Sequence, residues 1–201
     1  MKKVLMTLAV MAFFSGQAMA DNYNNTNYTV AAEGEVFGLS IGTGNSKDFA
    51  DNAQVIDLHS NSLPVNVGVQ MIDDNTNQDW RLYATKTFEA PGTVGPVAYA
   101  TPKVNFTKGD SYAKEELRIA PVVGVKYKGL SKVTPFAQVG YDWKSTKGDY
   151  LDFNRADSNA TVGAVFAVSD KADLTVALNQ EMDKEFNQTD REMAVKFSVK
   201  F

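Results

Sequence analysis

The sequence predicts an all-β fold, a closed antiparallel up-and-down transmembrane β-barrel of ten strands, with eight as the alternative. Three observations predict it. Beyond residue 33 the chain alternates apolar and polar side chains with a period of two, in segments bounded by polar turns. Those segments run to about ten residues, the length at which a tilted strand crosses a hydrocarbon layer. After the first twenty residues no apolar stretch is long enough to cross as a helix, and in lipid only a closed barrel leaves no sheet edge unsatisfied.

The elements follow in chain order. Lys2 and Lys3 precede an apolar run over 4–14, and Ala18-Met19-Ala20 then has the small-x-small form of an export cleavage site. Residues 1–20 are therefore expected to be a signal peptide, 21–33 an N-terminal lead-in (its Asn-rich start, 21–27, unstructured) and 34–201 the barrel domain. A first hairpin is expected from 34–42 and 52–59, with Phe37, Leu39 and Ile41 and then Ile56 and Leu58 outward. Next come the rows Leu63, Val65, Val67, Val69, Met71 and Leu117, Ile119, Pro121, Val123, Val125, Tyr127. Ala160, Val162, Ala164, Phe166, Val168 and Leu174, Val176, Leu178 follow, and Met193, Val195, Phe197, Val199, Phe201 end the chain. Two segments are weaker. Within 133–143 Phe136 falls on the face opposite Val139, Tyr141 and Trp143. Within 94–106 Pro96 and Pro102 cannot donate to a ladder, so a bulge or local disorder is expected.

The connections alternate in length. Those at 89–93, 129–131 and 169–173 are short, whereas 73–78, 107–114, 144–154 and 183–190 are longer and more polar. Transmembrane barrels carry short turns on one side and long loops on the other. Counting back from a last strand that ends on the short-turn side puts the start of the mature chain on that side too. No internal repeat or second domain is visible.

A soluble barrel would produce the same alternation with the apolar face inward. The opposite assignment is favoured by aromatic residues near strand ends: Trp80, Phe88, Phe106, Tyr127, Tyr141, Trp143, Phe166 and Phe201. The polar face carries Arg81, Arg118, Gln138, Asn179 and Glu181, too polar for a packed core without partners or water.

At the C-terminus the strand "MAVKFSVKF" ends the chain on Phe201. With the export signal, this resembles the bacterial outer-membrane β-barrel superfamily, and the architecture looks like that of its small porin-like and adhesin-like barrels. The resemblance implies that Phe197, Val199 and Phe201 are read by the barrel-assembly machinery. It also implies outer-membrane lipid and lipopolysaccharide as surroundings and the cell outer membrane as the address.

Composition excludes some chemistry. Lys and Arg number 20 against 24 Asp and Glu; without Lys2 and Lys3 the balance is 18 to 24, about −6, which argues against nucleic acid. No cysteine is present, so neither disulfides nor thiolate metal sites arise, and no cofactor is expected. His59 is the single histidine, beside Asp57 and Ser60, and reads as a solvated turn residue; an enzyme is not expected, since no nucleophile accompanies it. Asp73, Asn75, Asn77 and Asp79 alternate as in calcium loops, but Gln78 and Ala84 stand where the EF-hand pattern needs Gly and Glu, so no metal is expected. Lys108, Lys114, Lys144 and Lys147 in the long loops could meet lipopolysaccharide phosphates, and Tyr112, Tyr150 and Phe153 a surface partner.

The candidate site is the lumen. Period-two parity turns Arg81, Lys103, Glu116, Arg118, Asp142, Asp157, Glu181, Glu192 and Lys196 inward. These charges either pair across strands and lock a small barrel or line a narrow polar pore. The two functional expectations are accordingly diffusion of small polar solutes or ions, and a non-conducting barrel serving envelope integrity or adhesion.

Overall fold

Strands follow the two-residue period, except that Leu63 and Val65 lie in a bend ahead of their strand. The computed structural model describes residues 25–44, 53–73, 78–109, 116–146, 154–183 and 185–201. The expected signal peptide lies outside them, as do Asn75, Asn77, Tyr112, Lys114, Lys147, Tyr150 and Phe153.

Among the described residues there are fourteen segments: β1 (Asn25–Glu33), β2 (Phe37–Gly44), β3 (Ala53–Ser60), β4 (Asn66–Asp73), β5 (Gln78–Thr85), β6 (Phe88–Glu89), β7 (Gly95–Thr101), β8 (Lys103–Gly109), β9 (Glu116–Ile119), β10 (Val122–Lys128), β11 (Val133–Thr146), β12 (Asn154–Ser169), β13 (Ala172–Met182) and β14 (Gln188–Lys200). Six of them join end to end as three interrupted strands: β5 with β6, β7 with β8, and β9 with β10. Register is unbroken across each interruption, since Val122 pairs with Thr101 and Ile119 with Val104, while Thr85 pairs with Lys103 and Phe88 with Ala100. Prolines mark two of the breaks. Pro102 has no N–H to donate, nor has Pro121, yet their carbonyls still accept from Lys86 and Tyr141. Where a bulge or disorder is expected near Pro96 and Pro102, the structure has only this short break, and Pro96 stays in β7 opposite Tyr127.

The ring therefore closes with eleven strands, one pair of them parallel, which corrects the all-antiparallel expectation of ten or eight. The added strand is β1, in the stretch read as a lead-in. It lies antiparallel to β2 and parallel to β14, from Asn25 beside Glu192 to Glu33 beside Lys200. An odd count forces the first and last strands to run the same way. Asn25 consequently lies at the end of the long connections, opposite to the end where the start of the mature chain is expected.

The rows face as predicted, with Met193 of the last row nevertheless buried. Ile41, Leu82, Val123, Val125 and Val162 point outward and are exposed, whereas Asp57, Asp79, Asn105, Thr107, Glu116 and Arg118 are buried inside. Relative to a soluble barrel this is inside out. Phe136 turns inward, as its position implies, on the same face as Gln138 and Asp142, and its ring lies over Gly163 of β12; a Cβ there would be 2.7 Å from Phe136 Cζ. Gly124 takes the ring of Tyr99 in the same way, with a Cβ at 2.6 Å from Tyr99 Cζ. Glycine on one strand thus lets an aromatic ring from a neighbouring strand lie flat along the lumen wall.

Outward aromatics fall in two bands. Trp80 and the stacked Tyr141–Trp143 pair (centroids 6.0 Å apart) sit toward the long connections. Phe37, Phe88, Tyr127, Phe166 and Phe201 sit at the short-turn end, all of them exposed.

Candidate functional site

The described lumen carries polar clusters at several places along the wall. Near the long connections, β9 and β11 form the first. Arg118 donates through Nε to Glu116 Oε1 at 3.0 Å and through Nη1 to Asp142 Oδ2 at 2.8 Å. A guanidinium fork is suited to hold two carboxylates at once. Glu116 and Arg118 alternate on β9, so the same inward row that buries one delivers the other. Across the next pair of strands, Arg81 Nε on β5 donates to Thr107 Oγ1 on β8 at 3.3 Å.

A second cluster lies toward the short turns, where β1, β3 and β5 converge. His59 is central to it. Its Nδ1 lies 2.6 Å from Asp57 Oδ1 and its Nε2 3.0 Å from Glu33 Oε2. Asn61 donates to Glu33 Oε2 at 3.1 Å, Tyr83 Oη donates to Asp57 Oδ1 at 3.1 Å, and Lys196 Nζ stands 3.6 Å from Glu33 Oε1. Gly38 makes room: a Cβ there would strike both Glu33 and His59. The solvated-turn reading of His59 is thereby corrected. Its side chain is 10% exposed and enclosed by two carboxylates, because the β3 alternation that sends Ile56 and Leu58 outward sends Asp57 and His59 in.

Glu192 defines the third cluster, beside the parallel seam. Asn27 and Asn179 donate to its Oε2, each at 3.5 Å, and Thr161 donates to Asn179 Oδ1 at 2.9 Å. Glu192 Oε1 is buried without a hydrogen-bond partner among the described residues. Glu181 shares this inward face, opposite Asp190. At the rims, Glu89 bridges Lys126 and Lys128, Lys144 stands 3.7 Å from Asp157, and Lys200 pairs with Asp173 at 2.6 Å.

Of the nine charges expected to face inward, the structure brings together Glu116, Arg118 and Asp142. It places Lys196 with Glu33, Asp157 with Lys144, Glu192 with two asparagines and Arg81 with Thr107, and sets Lys103 Nζ over the Tyr83 ring, 4.8 Å from its centroid. Sequence reasoning missed Glu33, Asn61 and Tyr83, and the roles of Asp57 and His59. The D-x-H spacing of Asp57 and His59 was the available signal, since two residues apart on a strand share a face. Asp79, from the alternating acidic stretch, is buried in the barrel wall rather than offered to a loop site.

The side chains of the described residues do not fill the interior. One luminal cavity of about 560 Å³ is lined by Ser40, Asp57, Gln70, Tyr83, Lys103 and Lys196 among others. A second, of about 510 Å³, lies among Thr87, Tyr99, Thr101, Lys126, Phe136 and Gln138.

No protein-family model matches the chain. No curated protein matches it either. Among solved structures, the chain is similar to the outer-membrane expressed OmpT of Vibrio cholerae, at 14% identity and a TM-score of 0.38. The match covers 75% of this chain and 52% of that one, so the chain spans about half its length.

Proposed function

We propose that the chain is an outer-membrane β-barrel whose polar lumen admits small polar solutes or ions. The observation that carries this reading is the pairing of an apolar, exposed outer wall with luminal cavities of about 560 and 510 Å³ that the ion pairs leave open. Two aromatic bands, one toward each end, support the membrane setting, where amphipathic rings settle at the headgroup level. In this orientation the short turns and Phe201 face the periplasm. Phe197, Val199 and Phe201 then form the assembly signal of the last strand, and exposed Lys108 belongs to the side facing lipopolysaccharide.

A non-conducting barrel is the second reading, and the Arg118–Glu116–Asp142 cluster favours it, because buried ion pairs of this kind fill a small lumen. Planar bilayers separate the two. After a heat-modifiable gel shift has verified that the refolded chain forms a barrel, discrete conductance steps are expected. A correctly folded barrel that yields no steps would reject diffusion and leave the plugged barrel.

A further inference from the structure

The cavity of about 560 Å³ has the size of a small-molecule site, and its charged wall is unevenly committed. Four charged or titratable groups line it besides Tyr83: Asp57, His59, Lys103 and Lys196. Asp57 Oδ1 already accepts from His59 and Tyr83. Glu33, just behind, is met by His59, Asn61 and Lys196. Each carboxylate thus has a counter-charge or donors on one side, while Asp57 Oδ2 and Asn66 Oδ1 remain buried without a hydrogen-bond partner among the described residues. Lys103 differs. Among the described residues its ammonium lies over the face of Tyr83 and no acceptor takes any of its three N–H groups, although Asp57 and Asp142 act on its charge through space. Gln70, on the same wall, likewise has no hydrogen bond among the described residues. The cavity therefore keeps open acceptors as well as donors, but the one charged group in its lining that no hydrogen bond or ion pair contacts among the described residues is the Lys103 ammonium.

We propose that this luminal cavity binds a small oxyanion, a carboxylate or phosphate group, with Lys103 as its charge contact. A lysine ammonium takes either group as a point charge, and the amide of Gln70 and nearby hydroxyls accommodate the polar remainder of a small solute. The inference deepens the solute-diffusion reading and rests on it for the polar lumen, not for conduction.

The test is calorimetric titration of the refolded chain in detergent micelles, at fixed ionic strength, with sodium succinate, sodium phosphate and choline chloride. Saturable binding of succinate or phosphate but not choline is expected, and the two oxyanion arms tell which group the site prefers. Lys103→Met should weaken that binding roughly tenfold or more, while Lys103→Arg retains most of it. Absence of saturable oxyanion binding, or equal binding by Lys103→Met, would overturn the proposal. If Lys103→Met loses the heat-modifiable form, the wild-type chain decides alone: the bound oxyanion should slow acylation of Lys103 severalfold by peptide mass spectrometry, and an unchanged rate counts against the site. A barrel that binds without conducting refutes diffusion only; one that conducts without binding refutes this inference only.

Discussion

Gly68 and Tyr83 stand opposite each other on β4 and β5, and a Cβ on the glycine would lie 2.5 Å from the tyrosine hydroxyl. The phenol crosses the lumen wall at this gap and reaches Asp57. Gly68→Ala should therefore push the ring off its hydrogen bond and destabilise the barrel by about 1–3 kcal/mol, as overpacking does. Tyr83→Phe keeps the ring and loses only the hydroxyl contact, so about 1 kcal/mol is expected. Urea unfolding in lipid vesicles, followed by tryptophan fluorescence, measures both. An unshifted Gly68→Ala midpoint would mean that the ring has room to spare.

Such pairs show where sequence reading stops. The outward rows were legible in most positions, even the exception at Phe136, because a strand's two faces follow from parity alone, whereas parity says neither where a strand begins (Leu63 and Val65 precede theirs) nor what covers Met193. Which strand stands beside which at the closure was not. β1 reads as polar lead-in because its inward positions carry Asn27 and Thr29, while Tyr28 and Val30 make too short a row to stand out. Its partner β14 lies 165 residues away along the chain at the Asn27–Glu192 contact. The His59 cluster was hidden for a similar reason: Asp57 and His59 share one strand, but Glu33 comes from β1 and Tyr83 from β5.

His59 holds two carboxylates apart from one another. A neutral imidazole has one N–H and serves one of them, whereas the doubly protonated ring donates to both. His59→Ala removes both contacts and should cost about 2–4 kcal/mol; the loss stays below that of a fully stripped pair because Asn61, Lys196 and Tyr83 remain. Gln at this position restores one donor and is expected to recover part of the difference. The same unfolding assay checks it, and a stability equal to wild type for His59→Ala would show the cluster to be energetically idle.

The parallel closure can be tested covalently. Val30 and Phe197 are register partners across β1 and β14, and Val30 lies on the face opposite Asn27 and Thr29. A Val30→Cys, Phe197→Cys variant should form a disulfide under mild oxidation, since neighbouring strands bring Cα atoms within the range that a disulfide spans. Peptide mapping by mass spectrometry would find the crosslink. In a ten-strand barrel β14 would instead neighbour β2, so crosslinking of Ile41→Cys with Phe197→Cys, in place of the first pair, would reject eleven strands.

Arg118 carries the last prediction because its removal alters both charge and stability. The guanidinium sits between Glu116 and Asp142 with its side chain 11% exposed. Arg118→Ala leaves two carboxylates in the wall with no cation between them, a loss of about 3–5 kcal/mol for breaking a buried pair. The same change makes the long-connection mouth of the lumen more negative. If the barrel conducts, the reversal potential in a salt gradient should move toward cation selectivity, with single-channel conductance equal or larger once the side chain is gone. Glu116→Gln keeps the shape and removes one negative charge, so it should move the potential the opposite way. Two variants that shift the potential in the same direction would mean that ions do not pass this cluster.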